Sequence, residues 1–349
     1  MGIPKLWEII GPAAQNRSLL NLATIKGFQN NHRGLRTLII GVDIRQVASI
    51  LPLSAHPEFL LAFESMPLFY QLCNFSLAPM TLVFVFDGPG RPSVKRGTKV
   101  VYRPAWLEEH LKTMITNSGY YYYDVPGEVE AELRQLNHFG KIDGIISEDS
   151  DTFVFGGHCV IRTQGFVFPL VCLTCSNFLT RLSIQDMSWI YTSKSIETTA
   201  GVSLDKDGIF LCTLLLGGDY HSGIEGAGPT IARALARQLA VWCSDLREEL
   251  RSNSSGHLPK RQPKLAMNFP DTFPDLDIAR LYLDPLTSRR NSRSSLWKPM
   301  GPSVWDISDF CSARFSWHGA DLLKKLHNNL WPGATFRFLT SVRNKLYSG

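Results

Sequence analysis

Several features that mark familiar classes of protein are missing from this sequence. It contains no Walker-type phosphate loop, which argues against an NTPase. It contains no Ser/His/Asp or Cys/His arrangement typical of nucleophilic catalysis, and no internal repeat. No signal peptide is found at its start, so we expect an intracellular protein whose thiols are reduced.

Zinc-binding patterns and membrane spans are also lacking. The seven cysteines are scattered, and Cys172 and Cys175 form a lone CxxC without the second pair that a closed zinc site needs. Residues 163–180 carry no charge and approach the length of a membrane span. Their polar side chains and central proline favour a buried or poorly specified insertion, so we expect no membrane partner.

The composition is that of a globular protein, with 44% apolar and 19% charged residues, enough for one large domain or two ordinary ones. The net charge of +5 is unevenly distributed. Residues 1–222 carry 18 basic against 20 acidic side chains, whereas residues 223–349 carry 18 against 11. This asymmetry fits a polyanionic partner such as nucleic acid. Basic stretches at 251–264 and 288–295 predict mobile linkers suited to DNA contact or nuclear import.

Three apolar runs that end in aspartate predict a doubly wound, mainly parallel α/β sheet. They are TLIIGVD at 37–43, TLVFVFD at 81–87 and DGIISED at 143–149, and a helix is predicted at 131–139. In such sheets ligands bind beyond the carboxyl ends of the strands. We therefore expect a binding site where these runs end.

Helices are predicted in most of the remaining chain. Residues 44–79 predict two helical pieces broken near Pro52 and Pro57, and residues 104–116 predict another helix. Residues 303–330 predict two more. Their candidate core residues are Trp305, Phe310, Phe315, Trp317, Leu322, Leu323 and Leu326.

A glycine-rich turn follows Asp219. Pro229 suits the first position of the next helix, which is predicted to continue to about Trp242. Backbone amides at such a helix start can bind a phosphate backbone, and two arginines four residues apart extend the same face. The residues of this candidate contact are Gly223, Gly226, Gly228, Arg233 and Arg237.

Carboxylates collect around the expected strand ends. Crowded carboxylates repel one another unless a cation lies between them, although many acidic runs are simply solvated surface. Seven acids are too many for one general acid/base pair and suit two hard cations, which together promote phosphodiester cleavage. Glu132 and Glu148 are interpreted as bystanders. The candidate metal ligands are Asp43, Asp87, Glu128, Glu130, Asp149, Asp151 and Asp219.

The segment at 91–115 follows the second expected strand and is rich in basic side chains. Its position next to the candidate site suggests that these cations hold phosphates, while its composition alone fits an ordinary exposed loop and helix equally well. Its basic residues in the first half are Arg91, Lys95, Arg96, Lys99 and Arg103.

Six motifs, in this order, resemble the structure-specific 5′ nucleases of the flap endonuclease/XPG superfamily. Among these nucleases the likeness is greatest to the GEN-type Holliday-junction resolvases. The motifs are MGIPKLW at the N-terminus, GVD at 41–43, VFDGPGRPSVKRG at 85–97, PGEVEAEL at 126–133, DGIISEDSDTFVFGG at 143–157 and LLLGGDYHSGIEGAGPTIARAL at 214–235.

The resemblance implies a PIN-like nuclease core over residues 1–218, comprising the XPG N and I regions with an atypical segment at 163–202. It further implies a helix–two-turn–helix element over 219–243, which leaves a basic linker and a helical C-terminal region over 244–349. The implied activity is hydrolysis of phosphodiester bonds at a Holliday junction or a 5′ flap in DNA repair and recombination.

The resemblance also implies site residues and cofactors. The seven carboxylates would bind two Mg²⁺ ions, with Mn²⁺ as a substitute, and would act with Lys95 and Arg96. A K⁺ ion would bind at the glycine-rich turn, and Gly2 would lie near the site once Met1 is removed. Two copies acting on one junction and a nuclear location are further expectations. Together, the resemblance, the basic segment at 91–115 and the helix after the glycine-rich turn give these expected DNA contacts: Gly2, Arg91, Lys95, Arg96, Lys99, Gly223, Gly226, Gly228, Arg233 and Arg237.

The sequence departs from the family pattern at Ile44-Arg45, at Val129 and over residues 163–202. A catalytically inactive protein that binds branched DNA is therefore one alternative. A flap endonuclease rather than a resolvase is another, although the short 91–115 segment leaves little room for the helical arch that threads a free 5′ end.

Overall fold

The computed structural model describes residues 2–46, 57–95, 97–100, 104–163, 184, 187–237, 244–288 and 297–346. The strands in these parts are β1 (Gln15–Ser18), β2 (Leu38–Asp43), β3 (Met80–Phe86), β4 (Val94–Lys95), β5 (Thr98–Lys99), β6 (Tyr121–Asp124), β7 (Gly144–Ile146), β8 (Cys159–Thr163) and β9 (Met187–Thr192).

The helices lie between and after these strands. They are α1 (Leu6–Ile10), α2 (Leu19–Leu22), α3 (Pro57–Phe75), α4 (Ala105–Asn117), α5 (Val129–His138), α6 (Asp151–Val154), α7 (Ser193–Thr198), α8 (Lys206–Leu216), α9 (Pro229–Ala236), α10 (Ser244–Ser252), α11 (Pro263–Met267), α12 (Leu276–Leu283), α13 (Val304–Phe315) and α14 (Gly319–Leu346).

Seven strands form one sheet in the order β1-β9-β8-β7-β2-β3-β6. The five strands from β8 to β6 are parallel, while β9 pairs antiparallel with both β8 and the edge strand β1. The predicted mainly parallel sheet is thus confirmed. Because β7, β2 and β3 are neighbours, the acids that follow them emerge side by side at the carboxyl edge.

Alternate residues of the central strands face opposite layers of helices. On β2, Leu38 and Ile40 join a cluster with α3, α4, α13 and α14, whereas Ile39 faces α5. On β3, Phe84 joins the cluster with α3, α4, α13 and α14, whereas Val83 faces α5. Both faces of the sheet are therefore buried, which is why these strands read as continuous apolar runs.

The two expected C-terminal helices are present as α13 and α14, but two of their candidate core residues are wrong. Trp305 is 82% exposed and Leu323 is 68% exposed. On α14 the buried stripe contains Leu326 and Leu330, four residues apart, and Leu323 lies outside it. A helix turns by about 100° per residue, so apolar character alone does not put a side chain on the core face.

The linker expected at 251–264 takes part in the core. Leu258 is buried, and α10 and α11 flank it. The stretch contains one apolar anchor within a polar composition, which explains why the sequence suggested a linker. Residues 289–295 of the second basic stretch lie outside the described residues, and the domain boundaries at 218 and 243 stay predictions.

Other expectations lie partly outside the described chain. The helix over 44–79 is described as α3 alone, since residues 47–56 are not among the described ones. Continuation of α9 towards Trp242 and the pair Cys172 and Cys175 lie outside them as well. The described cysteines are free thiols. Within the described part, no helix is both long and apolar enough to cross a membrane.

Candidate active site

The seven candidate carboxylates lie together beyond the carboxyl ends of β2, β3 and β7. Six of them are buried, and Asp87 is half-buried. Glu128 has an extended backbone and precedes α5, whereas Glu130 lies in the first turn of that helix. This is the arrangement that the sequence required for the two glutamates to converge. The seven acids fall into three groups according to the side chains that contact them.

The first group, here called the arginine cluster, consists of Asp43, Asp87 and Glu130 around Arg45. The Arg45 Nη2 atom lies 3.1 Å from Asp43 Oδ2, and its Nε atom lies 3.7 Å from Asp87 Oδ2. The same guanidinium also pairs with Glu130. Arg91 pairs with Asp87 from the other side, and the Val129 amide donates a hydrogen bond of 3.2 Å to Asp87 Oδ1.

Burial and neighbouring charges shift the pKa values of this cluster in opposite directions, and which effect prevails differs from one residue to the next. Burial disfavours the charged form of Arg45, but the neighbouring carboxylates raise its pKa well above the ordinary value. Burial alone would raise the pKa of Glu130, yet the charges of Arg45 and Lys95 lower it. Burial raises the pKa of Asp43 despite the opposing charge of Arg45. Arg45 is therefore a fixed positive charge inside the site.

The second group, the lysine cluster, consists of Glu128 and Asp219 around Lys95. The Lys95 Nζ atom lies 2.9 Å from Asp219 Oδ2 and also pairs with Glu128. The Tyr220 hydroxyl donates a hydrogen bond to Glu128 Oε2. Burial and the charge of Glu128 raise the pKa of Tyr220, which keeps this hydroxyl protonated as a donor.

The third group, the aspartate pair, consists of Asp149 and Asp151 after β7. No described lysine or arginine forms an ion pair with either of them. Burial, followed by the charge of Glu130, raises the pKa of Asp149 to about 7. Burial and the charge of Asp149 raise the pKa of Asp151 well above its usual value. These acids carry the least compensated negative charge of the site.

Gly2 packs directly against the aspartate pair. Its φ is +84°, and a Cβ atom added there would lie 2.3 Å from Asp149 Oδ1. The neighbouring Ile3 amide donates a hydrogen bond of 2.8 Å to the Ser150 hydroxyl. Gly2 is therefore held against the aspartate pair, and a side chain at position 2 would displace Asp149 or the backbone.

The carboxylate oxygens are the ligands that Mg²⁺ and Mn²⁺ prefer, but their present arrangement is closed around protein cations. Within the described chain, no group of three or more His, Cys, Asp or Glu side chains is arranged to hold a metal ion. Two buried oxygens, Glu130 Oε2 and Asp151 Oδ1, accept no hydrogen bond from described groups. The site thus has spare acceptors, while Arg45 and Lys95 occupy the space between the acids.

The expected DNA-contacting residues lie in two places around these clusters. Lys95 and Lys99 belong to the β4–β5 hairpin, where Lys99 is exposed. Arg96 lies outside the described residues. The glycine-rich turn joins α8 to α9, with Gly228 directly before α9 and Pro229 at its first position.

The glycine-rich turn requires glycine at two points. Gly223 and Gly226 have φ values of +78° and +87°, and a Cβ atom on Gly223 would lie 2.4 Å from the Gly217 backbone nitrogen. On α9, Arg233 is half-buried and Arg237 is exposed. The turn is tightly closed, as the sequence pattern predicted, and whether it contacts DNA stays a prediction.

The two acids interpreted as bystanders have partners elsewhere. Glu132 accepts hydrogen bonds from the Tyr123 hydroxyl at 3.1 Å and the Ser288 amide at 2.8 Å. Glu148 pairs with the Nε atom of Arg162 at 2.6 Å.

The sequence reasoning did not assign a role to Arg45 or Tyr220. A signal existed for each, because Arg45 follows the strand-end Asp43 by two residues and Tyr220 follows Asp219 directly. Either position places a polar side chain at the edge where the carboxylates gather.

Comparison with known proteins bears on the same residues. Residues 119–219 match the XPG I-region family. The Holliday junction resolvase YEN1 of Saccharomyces cerevisiae is 27% identical over 168 residues, which are 47% of this chain and 19% of YEN1. The human Flap endonuclease GEN homolog 1 is 24% identical over 260 residues, 68% of this chain and 25% of that protein. This chain therefore matches about a quarter or less of the length of these relatives.

Solved structures share the fold over almost the whole chain. The crystal structure of the Holliday junction-resolving enzyme GEN1 with product DNA and Mg²⁺ has a TM-score of 0.72 and 26% identity, and the match covers 95% of this chain and 78% of that one. The catalytic core of Rad2 has a TM-score of 0.67 at 21% identity, covering 95% and 99%. Residues 119–219 are therefore similar to the XPG I region, and the chain shares the fold of these solved structures.

Proposed function

We propose that this protein is a structure-specific DNA endonuclease that hydrolyses phosphodiester bonds at a Holliday junction or a 5′ flap in DNA repair and recombination. The observation that carries the proposal is the gathering of seven carboxylates, six of them buried and one half-buried, at one edge of the sheet. Burying so many acids costs free energy unless cations compensate them, and such a concentration of charge is typical of a functional site. The XPG I region contains five of the seven.

The proposed cofactors are two Mg²⁺ ions, for which Mn²⁺ substitutes. Bound there, they would activate a water molecule and stabilise the leaving oxygen of the cleaved bond. Asp43, Asp87 and Asp149 are the proposed principal ligands because they lie at or just beyond the carboxyl ends of three neighbouring strands. The other four carboxylates would complete the set.

The cationic residues of the chain are proposed to hold the DNA backbone. Lys95 and Arg91 contact the acids from the segment after β3, so a phosphate bound beside them would lie next to the carboxylates. Arg96 and Lys99 would extend this contact. The glycine-rich turn, with Arg233 and Arg237, would grip duplex DNA through backbone amides and charge, aided by K⁺.

The segment between β3 and α4 favours a junction over a threaded flap. Its described part is a short hairpin, β4–β5, and α4 begins at Ala105. A helical arch around a free 5′ end would need a longer segment. The same proposal includes two copies acting on one junction and a nuclear location. It also includes the domain division at residues 218 and 243.

Cleavage of labelled branched DNA tests this function. Purified protein with Mg²⁺ is expected to cut a static four-way junction and a 5′ flap, and the Asp149→Asn variant is expected to bind the same DNA without cutting it. Asp124→Asn is a matched control because Asp124 ends β6 but pairs with Lys112 outside the three groups. Equal cleavage by Asp149→Asn and the wild type would refute the proposal.

A second candidate is a catalytically inactive protein that binds branched DNA. The observation that favours it is Arg45, which already neutralises the arginine cluster. Under this alternative the wild type binds the junction but cuts neither substrate with Mg²⁺ or Mn²⁺. The same cleavage assay therefore separates the two candidates.

A further inference from the structure

The candidate active site contains its own central cation. The Arg45 side chain is 15% exposed and reaches carboxylates from three different elements. Asp43 ends β2, Asp87 follows β3 and Glu130 lies in the first turn of α5, so one guanidinium ties these three elements together. The planar fork of donors on arginine suits several carboxylate oxygens at once.

We infer that Arg45 is a built-in counter-ion that competes with one of the two proposed divalent cations for the carboxylate oxygens of the arginine cluster. The inference rests on the proposed function, since it concerns the metal-binding capacity of the same carboxylates. A hard cation needs several oxygens turned towards one point. Arg45 holds the carboxylates of Asp43 and Glu130 turned towards its own nitrogens. Its fixed positive charge also repels a metal ion that approaches the same oxygens.

Arg45 is not needed to neutralise the charge of Asp87. Arg91 already pairs with Asp87 from the opposite side. Arg45 also leaves Glu130 Oε2 without a hydrogen-bond partner among the described groups. The cluster is thus closed by a cation that satisfies its acids only in part, whereas the aspartate pair has no ion-pair partner among them.

Replacing the cation tests the inference without DNA. The number of Mn²⁺ ions bound per chain is measured by the electron paramagnetic resonance signal of free Mn²⁺, and affinities are measured by calorimetry with Ca²⁺. We expect Arg45→Gln to bind one more Mn²⁺ ion than the wild type, or to bind its weakest ion at least about tenfold more tightly, which is the effect of about 1.4 kcal/mol.

A matched control removes a different buried arginine. Arg33 pairs with Asp143 at 2.7 Å, before β7 and away from the carboxyl edge. We expect Arg33→Gln to bind the same number of Mn²⁺ ions as the wild type with the same affinity. A gain in Arg33→Gln equal to that in Arg45→Gln would overturn the inference, as would an unchanged count and affinity in Arg45→Gln.

A measurement on the wild type keeps the inference testable if Arg45→Gln does not fold. The Arg45 Nε–H resonance in a ¹⁵N spectrum, assigned by its loss in Arg45→Lys, reports whether the guanidinium keeps its carboxylate partners. We expect it to shift during a Ca²⁺ titration as the ion competes for Asp43 and Glu130. A resonance that does not move at saturating Ca²⁺ would overturn the inference.

These outcomes are separable from those of the proposed function. If the wild type cuts branched DNA and Arg45→Gln gains no ion, the inference fails and the nuclease function stands. If Arg45→Gln gains an ion and the wild type cuts no branched DNA, the inference stands and the inactive alternative replaces the nuclease.

Discussion

The arginine cluster and the aspartate pair lie at one edge of the same sheet and are both buried, yet their acids behave differently. In the arginine cluster the nearby cations lower the pKa of Glu130 against the effect of burial. In the aspartate pair the same effect of burial raises the pKa of Asp149 to about 7. The comparison teaches that burial alone does not set the direction of a pKa shift, which depends on how strongly nearby cations oppose it; beside Arg45 they prevail at Glu130, whereas burial prevails at Asp43.

The largest expected effect comes from removing the counter-ion of the arginine cluster. In EDTA, Arg45→Gln is expected to lower the free energy of unfolding by about 3 kcal/mol, because buried acids lose their partner. Urea denaturation at pH 7.5 measures the change. Arg162→Gln is the comparison, since its partner Glu148 is 30% exposed and the expected loss is about 1 kcal/mol or less. Equal losses in the two variants would contradict the special position of Arg45.

In the aspartate pair, a substitution is expected to raise the free energy of unfolding rather than lower it. The folded pKa of Asp149 lies above its ordinary value of 3.8, so the stability from its protonated form is present below pH 4 and lost as the pH rises through about 7. Asp149→Asn avoids this loss. In EDTA at pH 8 it is expected to be more stable than the wild type by on the order of 2 kcal/mol.

The pH profile supplies the control for this variant. Thermal unfolding of Asp149→Asn and the wild type is compared from pH 4 to pH 8 in EDTA. The two melting temperatures are expected to converge as the pH falls towards 4, because the folded carboxyl is protonated there and the unfolded carboxyl, with its ordinary pKa of 3.8, is partly protonated as well. A difference that is constant over this range would show that packing, rather than charge, separates the variants.

The smallest effect is expected in the lysine cluster. Tyr220→Phe removes the hydroxyl that donates to Glu128 and leaves the Lys95 ion pairs in place. The expected loss in free energy of unfolding is about 1 kcal/mol, the typical contribution of one hydrogen bond. Tyr121→Phe, which removes a hydroxyl that donates to the Lys298 carbonyl and accepts from the Lys298 amide outside the site, is the control. Destabilisation by Tyr220→Phe as large as that by Arg45→Gln would remove the distinction between the clusters.

Much of the fold was predictable because strong local patterns specify it. The runs that end at Asp43 and Asp87 are β2 and β3, and the helix expected at 104–116 is α4. Apolar stripes on long helices were less predictable. Trp305 looked like a core residue and is exposed, because the face that packs is chosen by the neighbouring helices rather than by the residue itself.

The sequence alone predicted that the strand-end aspartates gather at one edge, since parallel strands place their carboxyl ends together, and it marked Glu128, Glu130 and Asp219 as candidates to join them. Only the tertiary structure decided how these acids are compensated. Arg45 is two residues from Asp43 in the chain but reaches Asp87 and Glu130 only because β3 and α5 pack beside β2. Electrostatic partners depend on distances across the fold, which spacing along the chain does not specify.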